Sequence, residues 1–179
     1  MIITTERLTL RRVEAGDWES IKRIWDDQSR SDYAQYDKPC RTEPDSVRKT
    51  VERWASAAES REHMFFAACL DGALIGYVAF NIRENGYETG YCFHSDYHGK
   101  GYAKESISAL IAHVCSLQPC AVITAGTALE NVPSVKLLRS LGFRRTGTEP
   151  VSFHKDAAGR DIFFEGGIFE LDTQETMNP

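Results

Sequence analysis

Apolar and polar residues alternate at period two along 87–93, where Tyr87, Thr89, Tyr91 and Phe93 share one face. That pattern predicts a half-buried strand. From Ile107 the spacing changes, and Ile107, Leu110, Ile111, Val114 and Leu117 form the stripe of an amphipathic helix. Nearer the N-terminus, Leu8 and Leu10 place a short first strand at 8–12. Asp17 then precedes Trp18, Ile21, Ile24 and Trp25 at helical spacing, which predicts a first helix with an acidic cap. A second helix starts at Pro44, a residue suited to a first turn, and turns Val47, Val51, Trp54 and Ala58 inward. Residues 28–44 are polar and without period, as a loop or broken helix would be.

Two apolar runs, 64–70 and 73–82, flank Asp71-Gly72, and Asn85-Gly86 repeats that hairpin signal before the strand at 87–93. Three consecutive antiparallel strands are therefore expected. After the central helix, Pro119 breaks the chain and 121–128 is a further strand. Asn131-Val132-Pro133-Ser134 opens a fourth helix bearing Val135, Leu138 and Leu141, which Gly142 stops. Residues 143–154 and 161–171 are two strands joined at Ala158-Gly159. The order predicts a mixed α+β fold in one domain over 1–172, with 173–179 as a tail. The pattern by itself leaves the strand order open.

Composition agrees with one ordinary core. A chain of 179 residues with 42% hydrophobic and 26% charged side chains suits a globular protein. Its net charge of −5 argues against nucleic acid or an anionic membrane as partner. The five cysteines are odd in number and show no zinc-site pairs, so no metal is expected and reduced thiols are. No apolar run approaches the roughly 20 residues that span a bilayer. The N-terminal MIITTERLTLRR carries charge where a signal peptide is apolar. The chain reads as cytoplasmic.

The candidate chemistry lies between the strand at 87–93 and the helix, at His98-Gly99-Lys100-Gly101-Tyr102-Ala103. Glycines admit a ligand close to the main chain, and a helix start offers unpaired N–H groups and a positive dipole end. Phosphate suits such a place. A dinucleotide fingerprint needs a third glycine where Lys104 stands, and a P-loop needs Ser or Thr where Gly101 stands. Cys92 and His94 could suggest a nucleophile and base. Side chains at i and i+2 of a strand lie side by side, however, and no third orienting group is evident, so a cysteine nucleophile is rejected.

The loop resembles the acyl-CoA loop of the GNAT acetyltransferases, Arg/Gln-x-x-Gly-x-Gly/Ala. Gly101 and Ala103 fill its last two named positions, and His98 replaces the usual Arg or Gln. Thr5-Glu6-Arg7-Leu8-Thr9-Leu10-Arg11, Gly90-Tyr91 through Glu105, and Asn131-Val132-Pro133-Ser134 followed by Leu141-Gly142-Phe143 together resemble one GNAT branch. That branch includes the ribosomal-protein alanine N-acetyltransferases. The resemblance implies a single GNAT-like domain with a central, mostly antiparallel twisted sheet of about seven strands and helices on both faces. The strands around Tyr87 and Ala121 would splay apart around coenzyme A.

The resemblance also implies the site. Main-chain groups near Cys92, Phe93 and His94 would pair with the pantetheine arm as an added strand does. The amides of His98, Gly99, Lys100, Gly101, Tyr102 and Ala103 would hold the pyrophosphate, and Asn131 would reach the arm. The activity implied is transfer of an acetyl group from acetyl-CoA to a primary amine by direct attack, the acceptor being a peptide N-terminus or a small molecule. Many members carry a tyrosine where Leu138 stands, so Ser134 is the candidate to protonate the departing thiolate. Glu88 is the candidate to take the amine's proton.

Each assignment has an ordinary structural alternative. Asn131 before Val-Pro is a strong helix cap, Ser134 a polar first-turn residue, Glu88 a solvent-facing strand glutamate, and Lys100 an exposed loop lysine. Tyr91, Phe93 and Trp54 are read as core. Residues 28–44 and 152–161 would wall the acceptor site. The alternative function is a non-catalytic acyl-CoA-binding sensor or complex subunit, and a homodimer stays open.

Overall fold

Short turns set the centre of the sheet. Asp71 (φ 49°) and Gly72 (φ 83°) both adopt the left-handed conformation of a tight hairpin and join β3 (His63–Leu70) to β4 (Ala73–Arg83). Arg83 then pairs with Gly86, so Glu84 and Asn85 make the next turn, and Gly86 already belongs to β5 (Gly86–Phe93). That turn sits one residue earlier than the Asn85-Gly86 signal suggests. The computed structural model describes residues 1–57, 59–117 and 121–173. Ala58, Gln118, Pro119, Cys120 and 174–179 lie outside the described residues.

The remaining strands are β1 (Ile2–Thr4), β2 (Thr9–Arg12), β6 (Val122–Ala128), β7 (Arg144–Lys155) and β8 (Asp161–Asp172). They form one eight-stranded sheet in the order β1-β2-β3-β4-β5-β6-β8-β7. Every neighbouring pair is antiparallel except β5 with β6. The strand beyond the expected count is β1, whose Ile2 is 70% exposed, so no alternation marks it in the sequence. Thr173 is buried and its N–H donates to the Ala121 carbonyl at 3.1 Å, which places packing one residue into the tail.

Period two divides the side chains between two cores. On one face α1 (Trp18–Gln28) and α2 (Pro44–Ser56) bury Ile21, Ile24, Val47 and Val51 against Ala67, Cys69 and Leu74. On the other, α3 (Tyr102–Leu117) and α4 (Val132–Ser140) bury Ile107, Leu110, Val114 and Leu138 against Phe66, Phe80, Tyr87 and Phe169. Each such large aliphatic or aromatic side chain contributes about 1.5–3 kcal/mol by leaving water. The Phe93 ring lies directly over Gly76, where a Cβ would collide with it.

Asp17 does not cap α1 with its side chain. Its carboxylate instead accepts from Nη1 and Nη2 of Arg11, both at 2.7 Å, and from the Glu14 N–H at 2.8 Å. A nearly buried carboxylate needs a cation more than a second amide, so the ion pair takes it.

Candidate functional site

β5 and β6 part within the sheet. Their pairing runs from Gly86 opposite Val122 to Glu88 opposite Thr124, and there it stops, although β5 continues to Phe93 and β6 to Ala128. Beyond Glu88 one edge of β5 therefore has no strand beside it among the described residues. The His94 N–H donates to Ile75 at 3.0 Å, on the β4 side. Main-chain groups alternate sides along a strand, so those of Gly90 and Cys92 also face β4. Those of Thr89, Tyr91 and Phe93 face the gap. Cys92 and His94, expected to turn their main-chain groups to the pantetheine arm, turn them to β4 instead, while Tyr91 and Phe93 present theirs to the gap.

The chain then turns through a short 3-10 segment, Ser95–Tyr97, into the glycine loop. Asp27 of α1 fixes that turn by accepting from the Ser95 N–H and hydroxyl, each at 2.8 Å. Partial burial works against the charge of Asp27, but the two Ser95 donors hold its carboxyl below the usual range. The His98 N–H donates to the Ser95 carbonyl at 3.0 Å, so it is committed within the turn and not free for phosphate as expected. The His98 ring donates from Nε2 to the Phe93 carbonyl at 2.8 Å.

Gly99 (φ 72°) and Gly101 (φ 82°) then take left-handed conformations that turn successive amides outward. The N–H groups of residues 99–104, which include Gly99, Lys100, Gly101, Tyr102 and Ala103, find no acceptor among the described residues. They sit at the N-terminus of α3, where the helix dipole adds to their positive character. The arrangement is an anion cradle. The Lys100 ammonium turns back to the Asp96 carbonyl at 2.9 Å and stands 5.8 Å from the Tyr97 ring centre.

A brace unseen in the sequence holds this loop. Thr5 Oγ1 donates to Glu105 Oε1 at 2.6 Å, and the Arg7 N–H donates to the same oxygen at 2.9 Å. The Arg7 guanidinium also donates from Nη1 to the Lys100 carbonyl at 2.9 Å and lies 4.6 Å from the centre of the Tyr102 ring.

Across the gap, Asn131 Oδ1 accepts from the Ser134 N–H at 3.2 Å, which makes Asn131 the cap of α4. Ser134 Oγ lies 2.9 Å from the Tyr91 hydroxyl. Leu138 is 1% exposed and packed in the core. Tyr91 is thus more than a core residue: its ring packs inward while its hydroxyl reaches the helix beside the gap. Burial raises that hydroxyl above its ordinary range, and the bond to Ser134 draws it back.

The opposite face of β5 is wetter. Glu88 is partly exposed and ion-paired with Arg83. A Cβ at Gly90 or Gly126 would meet nothing within 4 Å, so β5 and β6 leave an open floor next to Glu88. The Cys92 thiol donates to Gln28 Oε1 at 3.3 Å, and burial pushes it up, which keeps it protonated. The two segments expected to wall an acceptor meet here. His154 Nε2 donates to the Asp37 carbonyl at 3.0 Å, and the Tyr36 and Phe164 rings meet edge-on at 5.4 Å. Burial raises the Asp37 carboxyl, against the Gln28 amide that donates to it at 2.9 Å. Among the described residues no group of three or more His, Cys, Asp or Glu side chains could hold a metal ion, and no helix is long and apolar enough to cross a membrane.

Comparison with known proteins bears on this geometry. The family model described as an acetyltransferase (GNAT) domain matches residues 7–144. The uncharacterized N-acetyltransferase YnaD of Bacillus subtilis (strain 168) is 30% identical over 151 residues, covering 82% of this chain and 85% of its own. Among solved structures, a GNAT-family acetyltransferase from Bacillus anthracis is 26% identical with a TM-score of 0.78, over 97% of this chain and 99% of that one. The ribosomal L7/L12 α-N-protein acetyltransferase RimL, solved with coenzyme A, shares the fold at a TM-score of 0.77 and 16% identity, over 96% of this chain and 98% of its own.

Proposed function

The chain belongs to the GNAT acetyltransferase domain family, and we propose that it moves an acetyl group from acetyl-CoA to a primary amine. The observation that carries the reading is the continuity of two unsatisfied surfaces. Among the described residues, the free edge of β5 runs into a loop whose amides at 99–104 have no acceptor. A pantetheine arm extends β5 as an added strand would, and a pyrophosphate satisfies the loop amides. The coenzyme A held by RimL supports that choice of ligand.

Within this reading each residue has a task. The gap-facing N–H groups of Tyr91 and Phe93 are donors for the oxygen charge that develops as the amine attacks, where losing one donor costs about 3 kcal/mol. Ser134 gives a proton to the departing sulfur. Glu88 takes the proton of the amine, and Arg83 holds its carboxylate at the point where β5 and β6 part. Asn131 caps α4 and so fixes Ser134, with its amide nitrogen left for the coenzyme A arm. The acceptor enters between 28–44 and 152–161, where the carboxylates of Asp37 and Glu88 suit a cationic amine, either a peptide N-terminus or a small polyamine. Free thiols at Cys40, Cys69 and Cys92 suit a reducing compartment, so a cytoplasmic setting is part of the proposal.

Leu138 in place of a tyrosine favours one rival, acyl-CoA binding without turnover. A thiol-release assay with acetyl-CoA separates the two across a set of peptides and polyamines, with product mass as confirmation. Thiol release with acetylated product is the expected result. Tight coenzyme A binding with no release from any amine would establish the rival, and absence of coenzyme A binding would sink both.

A further inference from the structure

The Tyr91 and Ser134 hydroxyls come from different layers of the fold, one from a sheet strand and one from the first turn of α4. They meet at 2.9 Å. A hydroxyl has one proton to donate and two lone pairs to accept with. Two hydroxyls in mutual contact therefore use one proton between them and leave the other uncommitted. Neither oxygen has another partner among the described residues. The uncommitted proton is available to a third group, and the pair stands at the side of the gap where Leu138 offers nothing.

We infer that Tyr91 and Ser134 form a two-hydroxyl relay in which Tyr91, acting through Ser134, supplies the proton that the departing thiolate takes up. The inference rests on the transferase reading and gives a task to the Tyr91 hydroxyl, where that reading used only the Tyr91 main chain. Either oxygen can donate in this contact, and the relay uses the arrangement in which Tyr91 donates to Ser134 Oγ and leaves the Ser134 proton for the gap. When the carbon–sulfur bond breaks, sulfur keeps the electron pair and takes the Ser134 proton. Ser134 Oγ takes the Tyr91 proton in the same movement. The proton released by the attacking amine leaves through the base to solvent, and solvent returns one to Tyr91. Protons balance over the cycle.

The environment suits the role. A serine alone is a very weak acid, and the alkoxide it would leave in a half-buried gap is costly. A phenol behind it moves the charge to a phenolate oxygen of much lower basicity. Burial keeps the Tyr91 hydroxyl protonated through neutral and mildly alkaline pH, and no charged side chain among the described residues acts on it. Tyr91 is held in place by its main chain, which belongs to β5 opposite Val78, and by its packing against the α3 side of the core. It can therefore fix Ser134 without a third partner.

The test uses Tyr91→Phe, which removes the oxygen and keeps the packed ring. With acetyl-CoA and an accepted amine, kcat should fall about 5–30-fold, while the acetyl-CoA KM stays within about twofold. Tyr91→Phe combined with Ser134→Ala should be no slower than Ser134→Ala alone, because two groups acting as a unit do not add. A fluorinated tyrosine at position 91 lowers the phenol pKa, and the alkaline limb of the kcat profile should move down with it. A purely structural hydroxyl would leave that limb in place. Full activity in Tyr91→Phe, a double variant slower by the product of the single losses, or a fixed alkaline limb would each overturn the relay. If the unmodified protein binds coenzyme A but turns over no amine, the transferase reading itself fails, and the relay goes with it.

Discussion

Arg7 and Glu105 stand 98 residues apart in the chain, yet Nε and Nη2 of the arginine both lie 2.7 Å from Glu105 Oε2. The same guanidinium holds the Lys100 carbonyl, so the segment before β2 braces the anion-binding loop and the first turn of α3 together. A cradle of free amides is useful only if it stays open before the ligand arrives, and the brace preorganises it. Arg7→Ala should weaken coenzyme A binding about tenfold by calorimetry, with little change in melting temperature. Equal affinity in the variant would show that the loop holds its shape alone.

The brace also has a pH dependence with a definite sign. Partial desolvation works against the charge on Glu105, but the donors from Thr5 and Arg7 outweigh it and depress its pKa. A depressed carboxylate contributes above its unfolded value, about 4.3, and the contribution is lost as pH falls through the lower folded value. The affinity advantage of the natural protein over Arg7→Ala should therefore hold steady from neutral pH down to about 5 and shrink below about 4. An advantage that already fades near neutral pH would assign the effect to another group.

Gly101 tests the cradle directly. Its φ of 82° is unfavourable for a branched side chain, and an added Cβ would stand 3.3 Å from Arg7 Nη2. Gly101→Val should abolish measurable coenzyme A binding, while the circular dichroism of the folded chain stays near normal, because the loop is exposed and outside both cores. Normal affinity in a folded variant would remove the phosphate assignment.

Glu88 and Arg83 separate proton acceptance from positioning. Glu88→Gln should lower kcat about 10²–10⁴-fold with little change in the acetyl-CoA KM. Arg83→Ala should cost less, since the carboxylate remains and only its restraint is lost. Unchanged turnover in Glu88→Gln would move the role to another side chain or to water.

Cys92 lies on β5 within reach of the same floor, and a covalent route through it makes a contrary demand. Burial keeps the thiol protonated and its bond to Gln28 turns it toward α1, so it is a packing residue. Cys92→Ala should retain turnover within about threefold, and intact mass spectrometry during turnover should find no acetylated enzyme. Loss of activity together with an acetyl adduct on the natural protein would reverse this.

Much of the molecule was legible from neighbouring residues alone. Alternation marked β5, helical spacing marked α3, Asp71-Gly72 marked a hairpin, and Gly99 and Gly101 marked a place where main chain is bare. These signals act over one or two turns of chain, because they arise from backbone conformation and from which face a side chain takes. The strand β1 escaped for the same reason, being too short and too exposed to show a period. The site itself depended on distance in space. That β5 and β6 stay paired only as far as Glu88 is a relationship between two separate strands, and no local pattern encodes it. The engagement of the His98 amide by Ser95 and the turning of Cys92 and His94 toward β4 were set by loop geometry and sheet register. Tyr91 looked like core because its ring is core. Its hydroxyl acquired a partner only when α4 packed across the gap and brought Ser134 to 2.9 Å, a contact between residues 43 apart that alternation on one strand and capping on one helix cannot foresee.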